Sequence, residues 1–221
     1  MENGTDQVKS KQRVADHGEV FTAEREVNAM LDLVKHETER VESRFLEPAC
    51  GTGNFLAEIL RRKLAVVKAR YGKHPADFER YAFVALSSIY GVELLEDNAK
   101  ECRARLFGIL DQAYTRVCKK DASDDFRQAA RYVLERNILC GDALTLKDAK
   151  GEPIAFSEWS LVTGNLVQRR DFHLSQLLDA SEQQMNIFMD GWEYDADLGQ
   201  YIPQPFREFP LMDYREVQHY G

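Results

Sequence analysis

Apolar residues along this chain follow two different periods, and the alternation between them predicts helices interleaved with short strands. Val27, Met30, Leu31 and Val34 recur at i, i+3, i+4 and i+7, the spacing of a one-faced helix, and Thr22 stands where its N-cap would be. Phe55, Leu56, Ile59, Leu60, Leu64 and Val67 repeat that spacing and predict a helix from an N-cap at Asn54 to about Arg70, ended by Tyr71-Gly72-Lys73-His74-Pro75. Helical spacing returns from Ala76 to about Leu86, from Asp97 through Ala99, Cys102, Leu106 and Leu110, and from about Asp125 to Glu135. Between these segments lie short apolar runs at Phe45-Leu46, Ser88 to Glu93, Asn137 to Cys140 and Trp159 to Asn165, which read as strands. Such alternation defines an α/β fold with a mainly parallel sheet of about four strands.

The first strand leads into Glu47-Pro48-Ala49-Cys50-Gly51-Thr52-Gly53-Asn54. Two glycines one residue apart permit a sharp turn against which a ligand can lie, and the helix that follows aims free N–H groups at that ligand. A dinucleotide fingerprint would carry a third glycine at position 56, where Leu stands. Glu47, acidic and just before the turn, suits a ligand bearing a cationic amine better than one bearing a polyphosphate. Glu93 ends the second strand, where a carboxylate can accept both hydroxyls of a ribose. The distance from Gly53 to Glu93 is about twice the roughly 20 residues of a simple unit, so an extra helix is expected between them. Plainer readings exist for single residues: a helix cap for Thr22, a hydrophobic staple for Phe21, a small turn residue for Cys50.

Glu47 to Leu56, E-P-A-C-G-T-G-N-F-L, resembles motif I of the S-adenosylmethionine-dependent N6-adenine DNA methyltransferases of restriction-modification systems. Upstream, G-E-V-F-T is similar to that family's G-x-x-[FY]-T-P, with Gly18, Phe21 and Thr22 matching and Ala23 in place of proline. I-Y-G-V-E-L resembles motif II, and N-I-L-C-G-D-A-L resembles motif III, N-x-x-x-G-D-[AS]-L. The resemblance spans Gly18 to Asn165 and implies a Rossmann-like methyltransferase fold with S-adenosyl-L-methionine as cofactor. It also implies the pocket: Phe21 and Thr22 at the methionine end; Glu47, Pro48, Ala49, Cys50, Gly51, Gly53, Asn54 and Phe55 around the turn; Glu93 and Leu94 at the ribose; Asp142, with Ala143 and Leu144, at the adenine. The family's reactive [DN]-P-P-[YF] reads Asn165-Leu166-Val167-Gln168 here, which leaves Asn165 as the catalytic candidate without both prolines and the aromatic ring. Phe172 is the nearest ring that could stack on a flipped base in place of the missing one.

Charge and the last quarter of the chain modify this picture. The net charge is −8, and two basic clusters stand out, Arg61-Arg62-Lys63 and Arg169-Arg170. If DNA is the substrate, a second subunit or domain must supply much of the grip and the target recognition. After Asn165 no apolar or alternating run completes the family's sheet. A helix from Leu174 to Met189 and an aromatic, proline-punctuated tail are expected instead, covering the sheet edge or docking a partner chain that completes it. The expected organisation is therefore a flexible N-terminus over residues 1–16, a cofactor-binding domain over 17–165, and a helix plus irregular tail over 166–221.

Two functions follow: a DNA adenine-N6 methyltransferase, or a catalytically incomplete S-adenosylmethionine-binding or interaction subunit of such a complex. A methyltransferase of small molecules or proteins is a third, since fold alone does not choose the substrate. Four cysteines without a C-x-x-C pair read as reduced thiols, and scattered histidines imply no metal. With no long apolar run and no apolar leader, the expected location is the cytoplasm, away from the membrane.

Overall fold

The computed structural model describes residues 9–17, 20–179, 192–195 and 200–220. Helices α1 (Lys11–His17), α2 (Glu24–Leu33) and the single turn α3 (Lys35–Thr38) precede β1 (Phe45–Glu47). Two helices, α4 (Asn54–Tyr71) and α5 (Pro75–Ser87), carry the chain to β2 (Ile89–Glu93), so the extra helix expected before Glu93 is present. Two more, α6 (Glu96–Cys118) and α7 (Asp124–Asn137), carry it to β3 (Ile138–Asp142), and the short β4 (Lys147–Asp148) follows. The molecule is thus mixed α/β with a four-stranded, mostly parallel sheet in the order β1-β2-β3-β4, in which β4 alone is antiparallel.

Because strand side chains alternate between faces, β2 divides the core. Ile89 joins the large apolar cluster built by Leu56, Leu60 and Leu64 of α4, Phe83 and Leu86 of α5, Leu106 of α6 and Val133 of α7. Tyr90 and Val92 face the other way, onto a smaller cluster with Ile154, Phe156 and Leu174. Helices therefore pack against one face. The antiparallel pair β5 (Ala155–Thr163) and β6 (Leu166–His173) meets both clusters: Phe156 packs with Tyr90 in the smaller one, and Trp159 and Val167 lie with the helices in the larger.

That pair corrects the sequence reading. Trp159 to Asn165 was expected to be a further strand of the parallel sheet, but Trp159 to Thr163 belong to β5, whose partner is β6 in a separate sheet. Trp159 reaches over to α7, where its indole N–H donates to Asn137 Oδ1 at 3.1 Å. The tail is less irregular than expected. After α8 (Leu174–Asp179) come the hairpin β7 (Trp192–Asp195) and β8 (Gln200–Pro203), then β9 (Arg207–Glu208) and β10 (Met212–Asp213), both of which pair with β6. Phe209, Tyr214, Val217 and Tyr220 are buried in the same cluster as α4 to α7. The tail is thus part of the core, and its strands β9 and β10 pair along β6. The helix expected to reach Met189 is described as far as Asp179; residues 180–191 lie outside the described residues.

Three local expectations also change. Residues 11–17 form a helix, attached to α6 by Lys9 Nζ on Glu101 (2.6 Å) and Arg13 Nη1 on Asp97 (2.8 Å). Ala23, not Thr22, is the N-cap of α2, and of the four residues on its expected apolar face Met30 and Val34 are exposed. Gly53, not Asn54, caps α4.

One buried cation fixes the way into the sheet. Lys63 of α4 is fully enclosed, and its ammonium donates to the carbonyls of Val41 and Ser43 and to Ser88 Oγ. The chain entering β1 is thereby tied to the residue preceding β2.

Candidate functional site

The turn after β1 depends on left-handed backbone at Gly51 (φ +53°) and Gly53 (φ +84°). A Cβ on Gly53 would stand 2.6 Å from Cys102 Sγ, and one on Gly51 would stand 3.1 Å from the Phe21 ring. Glycine is needed at both positions, for conformation and for space. Asn54, the first residue of α4, donates from Nδ2 to the Thr22 carbonyl at 2.9 Å and accepts from Arg105. The asparagine that looked like a cap therefore binds the Phe21–Thr22 segment to the turn.

Glu93, 8% exposed, braces the turn from the end of β2. Its Oε2 accepts from Gly51 N–H at 2.8 Å, while Oε1 accepts from Leu95 N–H at 3.1 Å and from Asn98 Nδ2 at 3.2 Å. A carboxylate offers roughly four lone-pair sites, so acceptor capacity remains for one further donor. At the end of β3, Asp142 folds its carboxylate back on its own turn, accepting from Leu144 N–H at 2.8 Å and from Thr145 Oγ1 at 3.1 Å. The Leu144 amide holds this carboxyl below the usual range. Burial pushes the Glu47 carboxyl up. The Cys50 thiol is pushed far up by its hydrogen bond to Cys102 and by burial, which disfavours the thiolate.

These groups border one cleft of about 560 Å³ at the C-terminal ends of β1, β2 and β3. Phe21 and Thr22 form one wall, Glu47 to Gly51 with Asn54 and Phe55 the floor, and Glu93, Leu94 and Asp142 to Leu144 the far side. Gly53 is not in the lining; it shapes the turn from behind. Sequence reasoning missed Val20, Leu95, Asn98 and Gly141, which also line the cleft. Asn98 had a readable signal, since it lies one helical turn beyond the strand-end acid Glu93.

Asn165 is not part of this constellation. It sits in the turn between β5 and β6, its carbonyl accepts from Tyr214 N–H at 2.9 Å, and it does not border the cleft. Its neighbour Gly164 lies against Arg80 of α5. Phe172 is also elsewhere, buried on β6. The cause is topological: the strand expected to end beside the glycine turn pairs antiparallel with β6 instead of joining the parallel sheet.

The basic clusters do not offer a DNA-binding stripe either. Lys63 is enclosed, and Arg62 is paired with Asp32 and Glu58. Arg169 is 5% exposed and bound to Asp171, and Arg170 pairs with Glu158. Among the described residues no group of His, Cys, Asp and Glu is placed to hold a metal ion, and no helix is long and apolar enough to cross a membrane. Comparison of the chain with protein families, with curated proteins and with solved structures returned no match.

Proposed function

We propose that this chain is the S-adenosyl-L-methionine-binding module of a DNA adenine-N6 methyltransferase in a restriction-modification or defence system, built on a Rossmann-like methyltransferase fold and working in the cytoplasm. The observation that carries the reading is convergence. Four segments far apart in sequence, each resembling a methyltransferase motif, border a single cleft whose groups match the cofactor in order. The turn and the α4 N-terminus suit the carboxylate of a methionyl group. Glu47 suits its ammonium, the remaining lone pair of Glu93 a ribose hydroxyl, and Asp142 with the Ala143–Leu144 backbone the adenine. The volume also lies within the range of nucleoside-sized sites, about 300–1,000 Å³. When bound, the cofactor supplies an electrophilic methyl group on a sulfonium.

The chain's own residues bind and orient; they do not complete an acceptor site. Asn165 and Phe172 are away from the cleft, and the cations of both basic clusters are enclosed or paired. These observations favour the second form of the reading, in which the chain is catalytically incomplete alone and a partner subunit brings target recognition and the wall that holds the adenine. Among the described residues β1 is an edge strand of the parallel sheet, where such a partner would add. Phe45 N–H donates to Ser88 O, which by parallel-strand geometry turns the Leu46 amide and carbonyl toward the free edge of β1.

The test is calorimetric titration of the purified chain with S-adenosylmethionine, beside Asp142→Ala. Loss of one charged hydrogen bond is expected to weaken binding about tenfold or more. Absence of binding by the folded chain, or affinity indifferent to Asp142→Ala, would remove the cofactor assignment.

A further inference from the structure

A second cavity, of about 380 Å³, opens between β1 and the β5–β6 pair. It shares β1 with the cleft, since Leu46 lines this cavity and its neighbour Glu47 lines the other. Its inner wall is aromatic. Tyr90 and Phe156 meet edge to face with ring centroids 5.4 Å apart, and Phe172 lies beside them. Its polar side is a charge triad in which the Glu158 carboxylate is held between Arg44 and Arg170.

The charge balance within that triad is the informative feature. Two guanidinium groups contact one carboxylate, and a second acid, Glu208 of β9, stands opposite Arg170 in register. The side chains of Arg44 and Arg170 are 60% and 36% exposed, whereas Glu158 is 12% exposed. The cationic members are thus the accessible ones, Arg44 the more so. Arg170 Nε, moreover, is enclosed and has no hydrogen-bond partner among the described residues. An aromatic wall beside spare guanidinium donors is complementary to a flat ring carrying an anionic oxygen group. Rings stack on aromatic side chains, and arginine binds phosphate through paired N–H donors.

We propose that this cavity is a nucleotide-binding site, separate from the cofactor cleft, which takes the base against Tyr90, Phe156 and Phe172 and the phosphate at Arg44 and Arg170. The nucleotide can be free or part of a single strand, and the same chemistry recognises both. Leu46, 36% exposed, stands at the mouth.

The proposal is tested on the full chain with thymidine 5′-monophosphate, whose pyrimidine does not mimic the adenine end of the cofactor. Saturable binding is expected. Arg44→Ala, at an exposed position, should weaken it about tenfold, and Leu46→Trp, which fills the mouth, should abolish it. Asp142→Ala should leave it unchanged, so this result and the cofactor titration fail separately. Thymidine, lacking the phosphate, should bind about tenfold more weakly and be indifferent to Arg44→Ala. A short oligothymidylate binding at least about tenfold tighter than the monophosphate identifies a strand as the source, and equal affinity identifies the free nucleotide. No binding by the folded chain, binding that survives both Arg44→Ala and Leu46→Trp, or 4-methylbenzoate binding as tightly as the nucleotide would each overturn the assignment.

Discussion

The two sheets of this molecule use their polar residues in opposite ways. Around the parallel sheet, Glu47, Glu93 and Asp142 lie at strand ends, bonded to backbone N–H groups or partly desolvated, and they retain acceptor capacity facing a cleft. On the helix-facing side of the antiparallel sheet the charged groups bond to one another. Arg169 on β6 donates to Asp171 Oδ2 at 2.8 Å and to Ser157 Oγ at 3.0 Å, and its guanidinium lies 4.0 Å from the centre of the Phe209 ring. Nearby, the enclosed Glu79 accepts from the hydroxyls of Tyr114 and Tyr214 and from Arg215, which ties the last segment of the chain to α5 and α6. A charge with spare bonding capacity is available for a ligand, whereas a charge whose partners are all internal holds the fold.

Breaking the closed network should therefore cost stability and leave binding alone. Arg169→Met strands the Asp171 carboxylate, which is 7% exposed, without its cation. Removal of one member of a buried ion pair costs about 3–5 kcal/mol. Urea unfolding should show that loss, while the fraction still folded should bind S-adenosylmethionine as the parent does. A large change in cofactor affinity would mean that the two regions are coupled.

Lys63 tests the division from the other side, as a buried charge under the parallel sheet that serves the fold. Lys63→Met leaves Val41 O, Ser43 O and Ser88 Oγ without their donor, a cost of about 1–3 kcal/mol. Burial pushes the Lys63 ammonium down from 10.5 to about 7. Between those values the unfolded chain holds the proton and the folded chain does not, so this residue's contribution to stability rises with pH across that window. Denaturation midpoints should climb less steeply over this range in Lys63→Met than in the parent.

The difference between the regions also explains how much was legible. The glycine turn, the strand-end acids and the helices α4 to α7 follow local rules of spacing and turn chemistry, and a reader of the sequence finds them. Strand β6 was unreadable for a physical reason. Its inward positions are Val167, Arg169 and Asp171, so a regular alternation of burial is written partly in charged residues that become acceptable only through each other and the Phe209 ring. Helix α1 was missed similarly, because Lys9 and Arg13 find their carboxylates far along the chain on α6. The position of Asn165 followed from the first omission: with β6 unseen, β5 was assigned to the parallel sheet.

A smaller effect sharpens the ligand-facing side. Burial raises the Glu47 carboxyl, and an ammonium ligand requires the ionised form. Cofactor affinity should hold above that raised value and fall below it, by up to roughly tenfold per pH unit for one exchanged proton. Glu47→Gln should bind more weakly at neutral pH and show a flat profile. A parent profile already flat would place the ammonium elsewhere.

The smallest expected effect is at the residue the motif made most prominent. Asn165→Ala removes a side chain that makes no hydrogen bond among the described residues, and it keeps the backbone carbonyl that accepts from Tyr214. Surface substitutions of this kind change stability by about 0.5 kcal/mol or less. Cofactor affinity should stay within about twofold of the parent, a difference well under 1 kcal/mol. Under the proposed function, the decisive readout is methylation of DNA by the chain together with the proposed partner subunit. If Asn165 is only a turn residue between β5 and β6, that rate is unchanged, and the acceptor for the adenine amine belongs to the partner. A rate reduced about a hundredfold or more, the scale on which a misplaced reacting group acts, would mean that the β5–β6 turn is brought to the cleft in the assembled complex. The closed region would then contribute to the chemistry after all.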